Sequence, residues 1–186
     1  MYFKKTTPEE AGISSKTVLS FLKTLDSCGF STHSILMARG DNLFTEVYYA
    51  PFHKDFKHRM YSVSKTFVSM AVGMAIDDGL LSLDDKFMSF FPAFADKADD
   101  WMKEATIRDL LRMETSIKRG INWFYTGTDD RTEVYFGKGS DKIPGTIFDY
   151  DSPASQMLCV IVENLTGKPF LEYMKEKCLR DIGFSE

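Results

Sequence analysis

The order of elements predicts an α+β fold, in which one helix and a β-hairpin precede a longer, mostly helical stretch. Three observations carry that reading. An apolar stripe with helical spacing follows Ser14 and Ser15. Two β-type runs flank the turn Gly40-Asp41-Asn42. Helix start signals then recur at Thr106, at Ser152-Pro153 and at Pro169. The 186 residues suit one domain, and 44% apolar with 27% charged residues is an ordinary globular balance. No internal repeat, low-complexity tract or Pro/Gly/Ser linker interrupts the chain, so residues 1–186 read as one continuous domain.

The first helix begins near Ser14 or Ser15, either of which is a good N-cap. Val18, Phe21, Leu22 and Leu25 then fall at i, i+3, i+4, i+7, the stripe of a surface helix. Strands over 33–39 and 43–50 form the hairpin. Its Arg39-Gly40-Asp41 triplet resembles an adhesion motif, but a tight turn accounts for it more simply. The run from Ser62 to Asp78 has no polar face beyond Lys65, so a helix there should be central and buried, with Gly79 as its stop. Thr106 caps a short helix through Leu110, Leu111 and Met113. Residues 120–149, rich in Gly, Asp and aromatics, read as long loops. Ser152 caps the next helix, with Pro153 in its first turn, and it runs to Gly167. Pro169 starts the last one, ending near Arg180.

Several function classes are excluded at this level. A net charge of −4 with scattered Lys and Arg gives no footprint for nucleic acid. Cys28, Cys159 and Cys178 are an odd set without a close pair, which fits neither a disulfide scaffold nor a CxxC site. Cys159, inside an apolar run, reads as a small buried hydrophobe. His33, His53 and His58 lack ligand spacing, so no metal and no cofactor is expected. No stretch has the length and apolarity of a membrane span. Residues 1–10 hold no signal-like segment, so the chain as written is expected in the cytoplasm, or exported if a leader precedes it.

Ser-x-x-Lys occurs twice. Ser20 and Lys23 lie off the apolar stripe of the first helix, where an ordinary solvated surface explains them, and about one such match is expected by chance. Ser62-Val63-Ser64-Lys65 stands at the start of the apolar helix instead. The Ser62 N–H belongs to an unsatisfied first turn at the positive end of the helix dipole, a suitable place to stabilise an oxyanion. Lys65 lies one turn on and can share a face with Ser62. Burial there favours a neutral amine, and a neutral lysine beside a serine is a general base beside a nucleophile. Ser62 as a plain cap, with Lys65 reaching solvent, is the competing account. Tyr150-Asp151-Ser152 is the only Tyr-x-Ser, set just before a helix, and its phenol could relay a proton. An ordinary buried tyrosine is the alternative.

Tyr61-Ser62-Val63-Ser64-Lys65-Thr66-Phe67, Leu110-Leu111-Arg112-Met113-Glu114-Thr115-Ser116 and Pro144-Gly145-Thr146-Ile147-Phe148-Asp149-Tyr150-Asp151-Ser152 together resemble the β-lactamase and penicillin-binding serine hydrolases. Ala11-Gly12-Ile13-Ser14 and Leu165-Thr166-Gly167-Lys168-Pro169-Phe170 add to the likeness, which runs in order over nearly the whole chain. The branch resembled is that of class C β-lactamases, DD-peptidases, related esterases and aminohexanoate-oligomer hydrolases. The resemblance implies a β-lactamase-like fold with Ser62 as acylated nucleophile, Lys65 as its base partner and Tyr150 as proton shuttle. Ser152 takes the substrate-contacting place where many relatives carry an amide. The implied substrate is a small-molecule or peptide-like acyl compound. Glu163-Asn164-Leu165 faintly matches a deacylating glutamate motif, but its spacing is wrong and Glu163 reads as surface.

The family's third motif, Lys-or-His-x-Gly on a strand, and its later sheet strands are not in this sequence. The expectation is therefore a truncated domain, the N-terminal part of a longer hydrolase. Its hairpin would expose an unpaired edge through which copies could form a homo-oligomer. A non-catalytic or slowly acylated binding or sensor module, or an inactive fragment of the parent enzyme, is the alternative reading.

Overall fold

In the computed structural model, Ser14 opens helix α1, Ser15–Ser27, by accepting the Lys16 N–H on its side chain. The structure describes residues 3–118 and 130–184. The chain divides into two compact units, Met1–Arg59 and Met60–Glu186. In the first, Val18 is buried and Leu22 and Leu25 are half-buried. Phe21 stays 46% exposed, so the stripe is narrower than its spacing predicts.

The hairpin pairs β2, Ser34–Arg39, antiparallel with β3, Asn42–Tyr48, with Gly40 at φ +56° supplying the turn. The Arg39 guanidinium donates to Ala11 O at 2.6 Å, which ties the turn's arginine to the chain's own backbone. A strand that the sequence does not announce, β1, Lys4–Lys5, pairs in parallel with β3. Two lysines carry no alternating pattern. The pairing rests on backbone, with Lys4 N–H on Asp41 O at 2.8 Å and Thr6 N–H on Leu43 O at 3.1 Å. The sheet order is β1-β3-β2, so β3 is central and β2 is an edge among the described residues.

The second unit is built on two long helices. Helix α2, Ser64–Asp77, follows a 3-10 turn at Tyr61–Val63 and buries Val68, Ala71, Val72 and Ala75, an i, i+3, i+4, i+7 set. Only that face is buried. Phe67, Met70, Met74 and Ile76 are half-buried, and Ser69 is exposed. The expected all-round burial is therefore not met by the elements of its own unit. The helices that pack on α2 are α6, Ser152–Thr166, and α7, Phe170–Met174. Helix α6 contributes Ala154, Met157, Leu158, Ile161 and Val162 to the core. A π-helical turn, Lys175–Leu179, continues α7.

Between α2 and α6, the described residues form two short 3-10 turns and three short helices. Helix α3, Asp100–Glu104, is capped by Asp99. Helix α4, Ile107–Arg112, carries the capping box Thr106–Asp109 and ends on Met113 at φ +56°. Helix α5, Arg131–Phe136, corrects the reading of residues 120–149 as loops, although residues 119–129 lie outside the described set. Asp130 caps it through the Glu133 N–H. The Tyr135-Phe136 pair that ends it is buried to 1% exposure in a cluster with Phe87, Phe91 and Phe94. Aromatic anchoring, not propensity, holds this single-turn helix.

Two further corrections concern α6 and α7. The cap of α6 is Asp151, whose Oδ1 accepts the Ala154 N–H at 3.1 Å, and not Ser152. Asp and Ser cap about equally well, so their adjacency left the choice to geometry. Glu163 is half-buried, and its Oε1 accepts the Phe170 N–H at 2.7 Å, which makes it an anchor for α7 rather than free surface. No helix among the described residues is long and apolar enough to cross a membrane.

Phe136→Ala should remove about 3–5 kcal/mol of stability, the usual scale for emptying a buried aromatic site. Phe21→Ala should change it by less than about 0.5 kcal/mol. Urea unfolding followed by circular dichroism measures both. Equal losses would show that the Phe87–Phe136 cluster is not what holds the second unit.

Candidate active site

The chain enters α2 through a tight turn. Val63 N–H donates to Met60 O at 3.0 Å, and Tyr61 takes a left-handed conformation at φ +43°. A bulky residue there costs on the order of 1–3 kcal/mol, and such strain tends to gather at functional positions. The turn leaves Ser62 at the exposed start of the helical run. Its N–H lies in the first turn, where donors lack intrahelical acceptors.

Two side chains converge on the Ser62 hydroxyl. Lys65, one turn further on, donates from Nζ to Oγ at 3.2 Å. Tyr150, 88 residues away in sequence, donates from its phenol to the same oxygen at 2.6 Å. The Lys65 ammonium also lies 5.0 Å from the centre of the Tyr150 ring, close enough for a cation–π attraction. All three residues belong to the second unit. Lys65 is half-buried and Tyr150 is 50% exposed, so the deep burial expected of Lys65 is only partial and the site opens to solvent. The competing picture, of a serine cap with its lysine turned away, does not describe this arrangement.

The environment favours the ionised form of Tyr150. Hydrogen bonding with Ser62 is the largest cause, followed by hydrogen bonding with Lys65, and together with the Lys65 charge they outweigh the opposing effect of burial. The neutral phenol donates to Ser62, whereas its phenolate accepts the Ser62 proton. Ser152, half-buried in the first turn of α6, adds the weakest contribution through its hydroxyl. It thus neighbours the phenol.

Tyr150 is placed by the loop that precedes it. Asp149 N–H donates to Met113 O at 2.8 Å, and Gly145 N–H donates to Glu114 O at 2.8 Å. Gly145 sits at φ +77°, where a Cβ would come within 3.0 Å of Asp109 Oδ1, so only glycine fits without strain. Lys142 Nζ pairs with Asp149 Oδ2 at 2.8 Å, with side chains 11% and 13% exposed. Sequence reasoning missed these supports, because an ion pair seven residues apart in a loop has no periodic signature. Ser20 and Lys23, the other Ser-x-x-Lys, are both exposed on α1, away from any such set.

A family model described as Beta-lactamase matches residues 23–186. Among curated proteins, a 6-aminohexanoate-dimer hydrolase of Paenarthrobacter ureafaciens is 26% identical over 159 residues, covering 76% of this chain and 40% of that protein. The chain thus spans less than half the length of that relative. Among solved structures, a candidate beta-lactamase from Bacteroides dorei DSM 17855 superposes with a TM-score of 0.77 at 21% identity, over 92% of this chain and 52% of that one. A candidate 6-aminohexanoate-dimer hydrolase from Bacillus anthracis gives 0.67 at 17% identity, over 84% and 45%. These two likenesses show the fold.

Tyr150 should ionise below an ordinary phenol, as read by ultraviolet difference titration against Tyr150→Phe. Ser62→Ala and Lys65→Met should each move that ionisation upward, because each removes a group that favours the phenolate. No movement in either variant would mean that the three side chains do not meet in solution.

Proposed function

The chain belongs to the beta-lactamase family, with the fold of serine acyl-hydrolases, and on that footing we propose that Ser62 is the nucleophile of an acyl transfer to water. The observation that carries the reading is the convergence of Lys65 Nζ and Tyr150 OH on Ser62 Oγ, at 3.2 and 2.6 Å. An ordinary serine hydroxyl is a weak nucleophile and needs a group to take its proton. In this reading Lys65 is its base partner and Tyr150 carries the proton onward. Ser62 Oγ bonds to the substrate carbonyl carbon while its proton passes into the Lys65–Tyr150 pair. The carbonyl oxygen gains negative charge beside the Ser62 N–H at the helix start. When the bond to the leaving group breaks, Tyr150 delivers the proton to the departing nitrogen or oxygen. Water then attacks the Ser62 ester, the same pair takes its proton, and the acid leaves as Ser62 regains its own.

The substrate class is an amide, ester or β-lactam, with a linear amide favoured by the name of the curated relative. Ser152, next to Tyr150 in sequence and space, is the proposed substrate contact. The site's acid limb follows from Tyr150. Its surroundings lower the phenol pKa, so the limb that Tyr150 contributes lies below that of an ordinary phenol, with activity falling as pH falls through it.

A fluorophosphonate probe should add one mass to a peptide containing Ser62, and Ser62→Ala should abolish it. Labelling at Ser20 or Ser64 instead would remove Ser62 from the nucleophile's role. Lys65→Arg keeps the charge but cannot lose a proton near neutrality, so ester hydrolysis should fall by about 10²-fold or more. An arginine variant with near-normal turnover would make Lys65 an electrostatic residue and not a base.

A further inference from the structure

One residue on from Tyr150, Asp151 is held by a buried hydroxyl that the proposed reaction does not use. Thr115, 2% exposed, donates from Oγ1 to Asp151 Oδ2 at 2.7 Å. A carboxylate only accepts, so the single Thr115 proton is committed to it. Tyr135, 1% exposed, lies within electrostatic reach of Thr115 and Asp151. Burial, and secondly the Asp151 charge, push this phenol well above its ordinary range.

Capping α6 needs only one carboxylate oxygen, and Oδ1 does that through the Ala154 N–H. The second oxygen is held by a residue 36 positions earlier, next to the Met113 and Glu114 carbonyls that anchor the loop before Tyr150. Tyr150 thus stands between two fixed neighbours, Asp149 on its N-terminal side and Asp151 on the other. Its own phenol makes its bond out in the open site.

We propose that Thr115 and Asp151 are positioning residues, whose hydrogen bond sets the main chain at Asp151 so that the neighbouring Tyr150 phenol reaches Ser62 Oγ. The proposal rests on the role given to Tyr150 above. It goes further in assigning the accuracy of that contact to a buried threonine and a half-buried aspartate that the proposed reaction does not use.

Thr115→Val keeps shape and charge and removes only the hydroxyl. Fluorophosphonate labelling of Ser62 should slow by about 10- to 100-fold, the scale of a small misplacement of a catalytic group. The Tyr150 titration should move up toward an ordinary phenol as the ring leaves Ser62 and Lys65. Asp151→Asn and Asp151→Ser are both neutral and both cap helices well, but only asparagine keeps a second polar atom for Thr115. The asparagine variant should therefore label about tenfold faster than the serine variant. Unchanged labelling and titration in Thr115→Val, or equal rates in the two Asp151 variants, would overturn the proposal. Should Thr115→Val fail to fold by circular dichroism, the two Asp151 variants decide alone. If Ser62 in the unsubstituted chain takes no label at all, the hydrolase reading fails, and the Tyr150 titration still decides the positioning.

Discussion

The packing of α2 against α6 is the contact on which the site depends. Each helix carries its chemistry at its N-terminal end: Ser62 and Lys65 where α2 begins, Tyr150 two residues before α6. The apolar faces Val68, Ala71, Val72, Ala75 and Ala154, Met157, Leu158, Ile161, Val162 supply the adhesion. Small residues on α2 let the backbones approach closely. A rotation of either helix by one residue, about 100°, would carry its reactive group off the shared face while leaving much of the apolar area buried. The polar bonds to Ser62 Oγ are thus a reading of how well the core has packed, and they lend it little stability of their own.

Electrostatics at this site works by proximity, with little help from burial. Tyr150 is half exposed and Lys65 only partly covered, so water screens both. What favours the phenolate is direct hydrogen bonding at short range. The run after Lys65 has no charge until Asp77 and predicts a desolvated lysine as the site's main electrostatic feature. The surroundings of the second unit cover only one side of that helix, so the apolar run did not translate into an enclosed amine.

Legibility in the sequence followed the range of the forces involved. Helices α1, α2, α4 and α6, and the hairpin, rest on local spacing and caps, and their bounds lie within a residue or two of those read from the sequence. Tyr150 was legible as a motif at a helix junction. Strand β1 was not, since backbone bonds and one Lys5–Glu46 ion pair at 2.8 Å hold it without any apolar alternation, and neither was α5, which depends on distant aromatics to hold Tyr135 and Phe136. Asp151 was quoted with its motif, yet its role lay in a partner, Thr115, that no spacing rule connects to it. The same holds for Lys142 and Asp149. Residues proposed to react were easier to read than residues that hold them in place.

The 88 residues between Ser62 and Tyr150 have a consequence for the chain's early life. Ser62 and Lys65 are neighbours as soon as one helical turn forms, a matter of microseconds or less. The phenol arrives only after α4, the loop through Gly145 and the start of α6 have all been made and docked, and such non-local contacts form late. A growing or unfolded chain therefore presents a serine with one partner and not two. In the proposed reading, the serine's set of partners is therefore complete only once that long-range contact has closed.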